Sequence, residues 1–212
     1  MPWESLRRKM VDRQIAGRGV QDPRVLEAMR EVPREAFVPA SAAHEAYEDH
    51  PLGIGEGQTI SQPYVVALMA EAAQVGPDDR VLEIGAGSGY GAAVLGRLAR
   101  EVCTLERHRP LVERAALALE AVGATNVTVV HADGSEGWPE RAPYDAIVVT
   151  AAGRQVPQAL LDQLADGGRL VMPVGEPDAQ ELVRVRRHGD SVTRDDLGAV
   201  RFVPLVPNLP PG

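Results

Sequence analysis

The stretch Val81-Leu82-Glu83-Ile84-Gly85-Ala86-Gly87-Ser88-Gly89 decides the fold. A short apolar run enters a turn with glycine at every second position, and a helix is expected to begin at Tyr90. Gly85, Gly87 and Gly89 let the backbone turn tightly and approach a ligand closely. A dinucleotide fingerprint would place a further glycine at the sixth position counted from Gly85, and that position is Tyr90. Spacing for a pyrophosphate is therefore not met. Glu83 stands just before the first glycine and suits a ligand with a cationic group and no phosphates.

Working outward, strands and helices alternate. Residues 81–84, 101–106, 127–131, 146–150 and 169–174 read as strands, and 90–99, 109–122 and 157–164 as helices, the last ended by Gly167-Gly168. Short strands separated by helices argue for a parallel sheet covered on both faces. Residues 181–187 and 200–206 read as two further strands with no long helix between them, which predicts an antiparallel C-terminal edge. Upstream, the chain reads as helical to about residue 47. Asp22-Pro23 marks one helix start, with Asp as N-cap and Pro at the first helical position. Residues 48–62 show little periodicity and are expected as a long connection that acts as a lid. Pro63 opens a helix to about residue 74. The fold expected is α/β: a Rossmann-like, doubly wound, mostly parallel seven-stranded sheet. It forms one domain, with a helical cap and substrate loop over 1–62, a cofactor-binding core over 63–206 and a loose tail over 207–212.

Two more acids fall at matching places. Glu106 closes the second strand, where doubly wound folds put a ribose-binding carboxylate, and Asp133, before Gly134, follows the third. Carboxylates at the carboxyl ends of three successive parallel strands fit a nucleoside joined to a sulfonium amino acid. Singly, a glycine turn serves packing and a strand-end acid serves as a cap or a solvated surface residue; the ordered combination carries the reading.

The chain has 212 residues, 44% of them hydrophobic and 25% charged, as expected for a globular protein of one core. No run of about 18 apolar residues is present and residues 1–10 lack an apolar signal region, so neither a membrane span nor a signal peptide is expected. The net charge is −8 and the basic residues are scattered, which argues against a nucleic-acid partner. A single cysteine, Cys103, sits mid-strand among apolar residues, reads as buried and excludes an internal disulfide. No metal site is expected, since the five histidines lack ligand spacing. A cytoplasmic monomer is expected.

Glu83 to Tyr90, Glu106 and Asp133-Gly134 together resemble the Rossmann-like S-adenosyl-L-methionine methyltransferases. The segment Gly55-Glu56-Gly57-Gln58-Thr59-Ile60-Ser61-Gln62-Pro63-Tyr64 narrows the resemblance, because it is similar to the hallmark segment of the protein-L-isoaspartate O-methyltransferase family. The similarity runs over roughly residues 5–206 and includes Asp133-Gly134, the 144–152 strand region, the 167–175 segment and Arg201-Phe202-Val203-Pro204-Leu205. It implies an enzyme that uses S-adenosyl-L-methionine to methylate the free carboxylate of L-isoaspartyl residues in damaged peptides and proteins. The methyl ester then collapses to a succinimide, and hydrolysis of that ring starts the repair. By the same resemblance the cofactor lies against Glu83, Gly85, Ala86, Gly87, Ser88, Gly89, Tyr90, Glu106, Asp133 and Gly134. Ser61 is the active-site residue, Thr59, Ile60, Ser61, Val149, Thr150 and Ala151 meet the substrate, and the Arg201-to-Leu205 strand helps to hold the peptide backbone. Local chemistry alone reads Ser61 as a helix N-cap and Thr59 as a turn residue.

Other readings fare differently. A methyltransferase for nucleic-acid bases would carry an Asn/Asp-Pro-Pro-aromatic motif where Thr150-Ala151-Ala152-Gly153 stands. A noncatalytic binding module would have no use for the complete acid and serine set. An aspartate O-methyltransferase dedicated to one peptide shares the chemistry and stays open at this level.

Overall fold

The protein, described by a computed structural model over residues 3–209, carries one large sheet and one small one. The large sheet is built from β3 (Arg80–Ile84), β4 (Glu101–Glu106), β5 (Val127–His131), β6 (Tyr144–Val149), β7 (Leu164–Glu176), β8 (Ala179–His188) and β9 (Ser191–Val200). Their order across the sheet is β5-β4-β3-β6-β7-β8-β9. The pairs from β5 through β7 are parallel; β7–β8 and β8–β9 are antiparallel. The expected seven strands and antiparallel edge are therefore present.

The connections are helical, as the alternation predicts: α4 (Tyr90–Gly96), α5 (Arg109–Ala121) and α6 (Gln158–Asp162). Burial of both faces explains why β3 and β6 read as nearly unbroken apolar runs. The chain runs β3-β4-β5 outward, then returns to lay β6 on the other side of β3. That reversal makes the β3/β6 junction a topological switch point, where open α/β sheets bind ligands.

The N-terminal part packs over the sheet as α1 (Trp3–Met10), α2 (Pro23–Glu31) and short helical turns, followed by α3 (Pro63–Ala73). Asp22 caps α2 by accepting the Arg24 N–H at 2.8 Å, with Pro23 at the first helical position.

Three expectations need correction. Residues 48–62 are not a structureless lid: β1 (Leu52–Gly55) and β2 (Gln58–Ile60) form an antiparallel hairpin, Leu52 opposite Ile60 and Gly53 opposite Thr59. Positive φ at Glu56 (54°) and Gly57 (69°) makes the two-residue turn whose twist suits paired strands. The closing strand is residues 191–200 and not 200–206. It turns back at Gly189 (φ 58°), and its side chains are exposed or half-buried throughout, so no apolar alternation marks it. Finally, α6 ends at Asp162, and Gly167-Gly168 lies inside β7, where a bulge separates the Tyr144–Leu164 and Ala146–Arg169 pairs. Of the expected loose tail, residues 210–212 lie outside the described residues. Among the described residues no helix is long and apolar enough to cross a membrane.

Candidate active site

A cavity of about 230 Å³ opens at the carboxyl ends of β3, β4 and β6, beside the switch point. Its floor is the glycine turn. Gly85, Gly87 and Gly89 have φ of 93°, 53° and 89°, so all three sit where side chains are strained. The N–H groups of Gly85 and Ala86 both donate to the Leu105 carbonyl at 2.9 Å, which ties the turn to β4. Across the switch point, the Thr150 hydroxyl donates to the carbonyls of Ile84 (3.0 Å) and Gly85 (2.8 Å). A Cβ at Gly85 would collide with that hydroxyl. Gly85→Ala is therefore expected to destabilise the fold by at least about 2 kcal/mol, from left-handed strain plus displacement of Thr150. It should also deform the cavity floor. Denaturant unfolding together with S-adenosylhomocysteine titration checks this; unchanged stability and affinity would contradict the role given to the Thr150 bridge.

The acids are placed with distinct environments. Glu106 is 6% exposed and accepts backbone N–H bonds from Gly87 and His108, both at 2.9 Å. Each oxygen keeps a lone pair, enough for two neighbouring hydroxyls of a ribose. Glu83 is 1% exposed and accepts the Thr104 hydroxyl at 2.5 Å. Burial is the main cause that pushes its pKa up to about 8; the Glu106 charge adds to this and the Thr104 bond opposes it. A Cβ at Gly91 would collide with Glu83 Oε1, so the first turn of α4 is kept bare to let this carboxyl face the cavity. Tyr90, 1% exposed, walls the same side, with Phe37 edge-on at 5.7 Å and the Arg34 guanidinium 4.9 Å from its ring centroid.

The opposite wall comes from the hairpin and the start of α3: Gln58, Thr59, Ile60, Ser61 and Val66. Ser61 and Thr59 thus share one cavity with Glu83 and Glu106, although about twenty residues or more separate them in sequence. Ser61 is not the helix cap that local chemistry suggests. Gln62 holds the N-cap position of α3.

Among the expected residues, Gly85, Ala86, Gly87, Ser88, Tyr90, Glu83, Glu106, Gly134, Thr150 and Ala151 line the cavity. Gly89, Asp133 and Val149 stand off it. Gly89 faces α5, where a Cβ would lie 3.3 Å from Ala115 and Leu119. Val149 is fully buried in the core. Asp133 accepts Ser135 N–H (2.9 Å), Ser135 hydroxyl (2.8 Å) and Asn208 N–H (2.6 Å). Partial burial pushes its pKa up, but these bonds and the Arg107 charge outweigh that and hold it below the ordinary carboxylate value. The Asp133 carboxylate anchors the tail, and its neighbours Ala132 and Gly134 form the wall.

Sequence reasoning did not single out Arg107, His108, Val66 or Val206 for the site. Residues 203–206 cross the sheet end and pair with Ala152, which donates to the Val203 carbonyl and accepts the Leu205 N–H, each at 2.8 Å.

The cavity suits a nucleoside bearing a cation: a buried carboxyl without a cationic partner at Glu83, a carboxylate with free lone pairs at Glu106, apolar walls from Leu105, Ala132 and Leu205, and a floor of backbone from the glycine turn. Fold and site together define a Rossmann-like methyltransferase that uses S-adenosyl-L-methionine. Comparison with known proteins then narrows the class. The family model for protein-L-isoaspartate(D-aspartate) O-methyltransferase matches residues 5–209. The chain is 59% identical over 202 residues to protein-L-isoaspartate O-methyltransferase 1 of Rhodopseudomonas palustris (strain HaA2), covering 94% of this chain and 82% of that one. It is 55% identical over 205 residues to the protein-L-isoaspartate O-methyltransferase of Methanoregula boonei, covering 97% and 94%. A Plasmodium falciparum structure described as a beta-aspartate methyltransferase in complex with S-adenosyl-L-homocysteine superposes with a TM-score of 0.83 at 26% identity, covering 95% and 99%. The chain belongs to the protein-L-isoaspartate(D-aspartate) O-methyltransferase family.

Proposed function

We propose that Ser61 and Thr59 hold the isoaspartyl carboxylate, and Glu83, Glu106 and the glycine turn hold the cofactor, in the one cavity between the hairpin and the sheet. The enzyme transfers a methyl group from S-adenosyl-L-methionine to the carboxylate of L-isoaspartyl residues in peptides and proteins. When bound, S-adenosyl-L-methionine supplies a methyl group made electrophilic by its sulfonium. The chain's own residues supply placement. A carboxylate acceptor is ionised at neutral pH, because free carboxyls titrate near about 4, and no general base is required. What is required is an oxygen held about 3 to 3.5 Å from the carbon it attacks. The Ser61 hydroxyl donates one hydrogen bond to one carboxylate oxygen and leaves the other free. Being neutral, it orients the nucleophile without quenching it as a guanidinium would. The hairpin and residues 203–206 exclude water from a site where opposite charges approach each other.

The observation that carries this reading is that one cavity wall is built from residues 58–61 and the facing floor from the glycine turn. The test is transfer of labelled methyl to two synthetic peptides, identical except for isoaspartate or aspartate at one position. Label on the isoaspartyl peptide alone is expected. Label on neither, with S-adenosylhomocysteine still bound, would replace this reading with that of an enzyme dedicated to one peptide.

A further inference from the structure

We infer that Asp49 is a positioning residue for Ser61, and that the N-terminal helical cap serves to hold it there. This rests on the reading that Ser61 acts on the acceptor carboxylate.

The first turn of α3 is capped from outside the helix. Gln62, at the N-cap of α3, makes no capping bond with its own side chain. The N–H groups of a first helical turn need an acceptor. Asp49 supplies one from another segment: its Oδ1 accepts the Tyr64 N–H at 3.2 Å. Its Oδ2 accepts the Gln62 side-chain amide at 3.2 Å and Arg18 Nη1 at 2.5 Å. The Arg18 guanidinium in turn lies 3.6 Å from the centroid of the Tyr64 ring. Asp49 therefore grips the residue after Ser61 and the first turn beyond it. On the other side of Ser61, Ile60 is fixed by its pairing with Leu52.

The grip is useful only if Asp49 is itself rigid, and the cap provides that. Arg34, fully buried, donates to the Ala46 carbonyl at 2.7 Å. Gln14 donates to the Tyr47 carbonyl at 3.1 Å. The Tyr47 hydroxyl accepts from Arg7 at 2.9 Å and donates to Glu35. Elements from across the cap thus converge on residues 46–47, two positions before Asp49, and the load passes from there to Ser61. Such placement acts on turnover, since misplacing a reacting group by about 1 Å costs on the order of 100-fold. Glu83 and Glu106 hang from the sheet and do not depend on it.

A double-mutant cycle on the full chain tests this. Asp49→Ala is expected to lower kcat about tenfold or more while the S-adenosylhomocysteine Kd stays within about twofold. Ser61→Ala lowers kcat as well, and Asp49→Ala added to it lowers kcat little further, because one residue works through the other. Where Asp49→Ala does not fold, Asp49→Asn carries the same cycle: its carbonyl can still accept the Tyr64 N–H, but its amide NH2 then faces the Gln62 and Arg18 donors, so the grip on the residue after Ser61 is lost. A folded Asp49 variant with wild-type kcat, or effects of the two substitutions that multiply independently, overturns the inference while leaving the Ser61 reading intact. Wild-type kcat in Ser61→Ala overturns the Ser61 reading instead.

Discussion

Replacing Ser61 by alanine is expected to slow methyl transfer roughly 10- to 100-fold and to leave the affinity for S-adenosylhomocysteine unchanged. The size follows from the bond removed. A hydrogen bond to a charged group is worth about 1.5 to 3 kcal/mol, and each 1.36 kcal/mol is about tenfold in rate. The division between rate and affinity follows from placement. Ser61 lies on the hairpin side of the cavity, whereas Glu83, Glu106 and the glycine turn belong to the sheet. The hydroxyl is also not needed as a cap, since Gln62 occupies that position and Asp49 accepts the Tyr64 N–H. Stability should therefore change little. Single-turnover transfer to an isoaspartyl peptide, measured beside a cofactor titration, separates the two quantities. Lost cofactor affinity with unchanged turnover per bound cofactor would sink the assignment.

Glu83→Gln is expected to do the opposite: stabilise the protein without ligand and weaken its hold on the cofactor. Glu83 titrates near 8 in the folded protein against an ordinary value of 4.5, mainly because it is buried. Between those values the folded state keeps a proton that the unfolded chain has lost. Stability therefore falls as pH rises through that window, by about 1.4 kcal/mol per pH unit. At pH 7 the glutamine variant should be more stable by about 3 kcal/mol, and near pH 4 by almost nothing. Binding has the reverse sign. A cation seated against Glu83 favours the ionised carboxylate, so cofactor affinity should rise with pH toward 8 in the natural protein and lose that dependence in the variant. Urea unfolding and cofactor titration at pH 5, 7 and 8 measure both. Parallel stability curves for the two proteins would contradict this account of Glu83.

These two residues mark how far local sequence carries. Glu83 is legible from its neighbours, an apolar strand before Gly85, whereas Ser61 stands out only through the family resemblance of its segment, since local chemistry reads it as a cap that Gln62 in fact holds. Asp49 was not legible. It lies in a stretch without periodicity, and its partners are 13 and 15 residues downstream in sequence. Asp133 was read correctly as a residue at a strand end, but which way its carboxylate turns depends on Asn208, 75 residues later. The 191–200 strand was missed for a related reason, since an exposed edge imposes no alternation on its side chains.

The sequence by itself determined the parallel core, the order of its helices and strands, and the glycine turn. Burial on two faces and strained φ angles select residue types at each such position without reference to distant partners. Tertiary structure alone decided that residues 58–61 face the glycine turn and that residues 203–206 reach the cavity by pairing with Ala152 and not as the closing strand of the sheet. It also turned Asp133 to the tail and set Asp49 under α3. Those arrangements depend on pairings between segments far apart in the chain, and a hydrogen bond between distant residues leaves no periodic mark on either one.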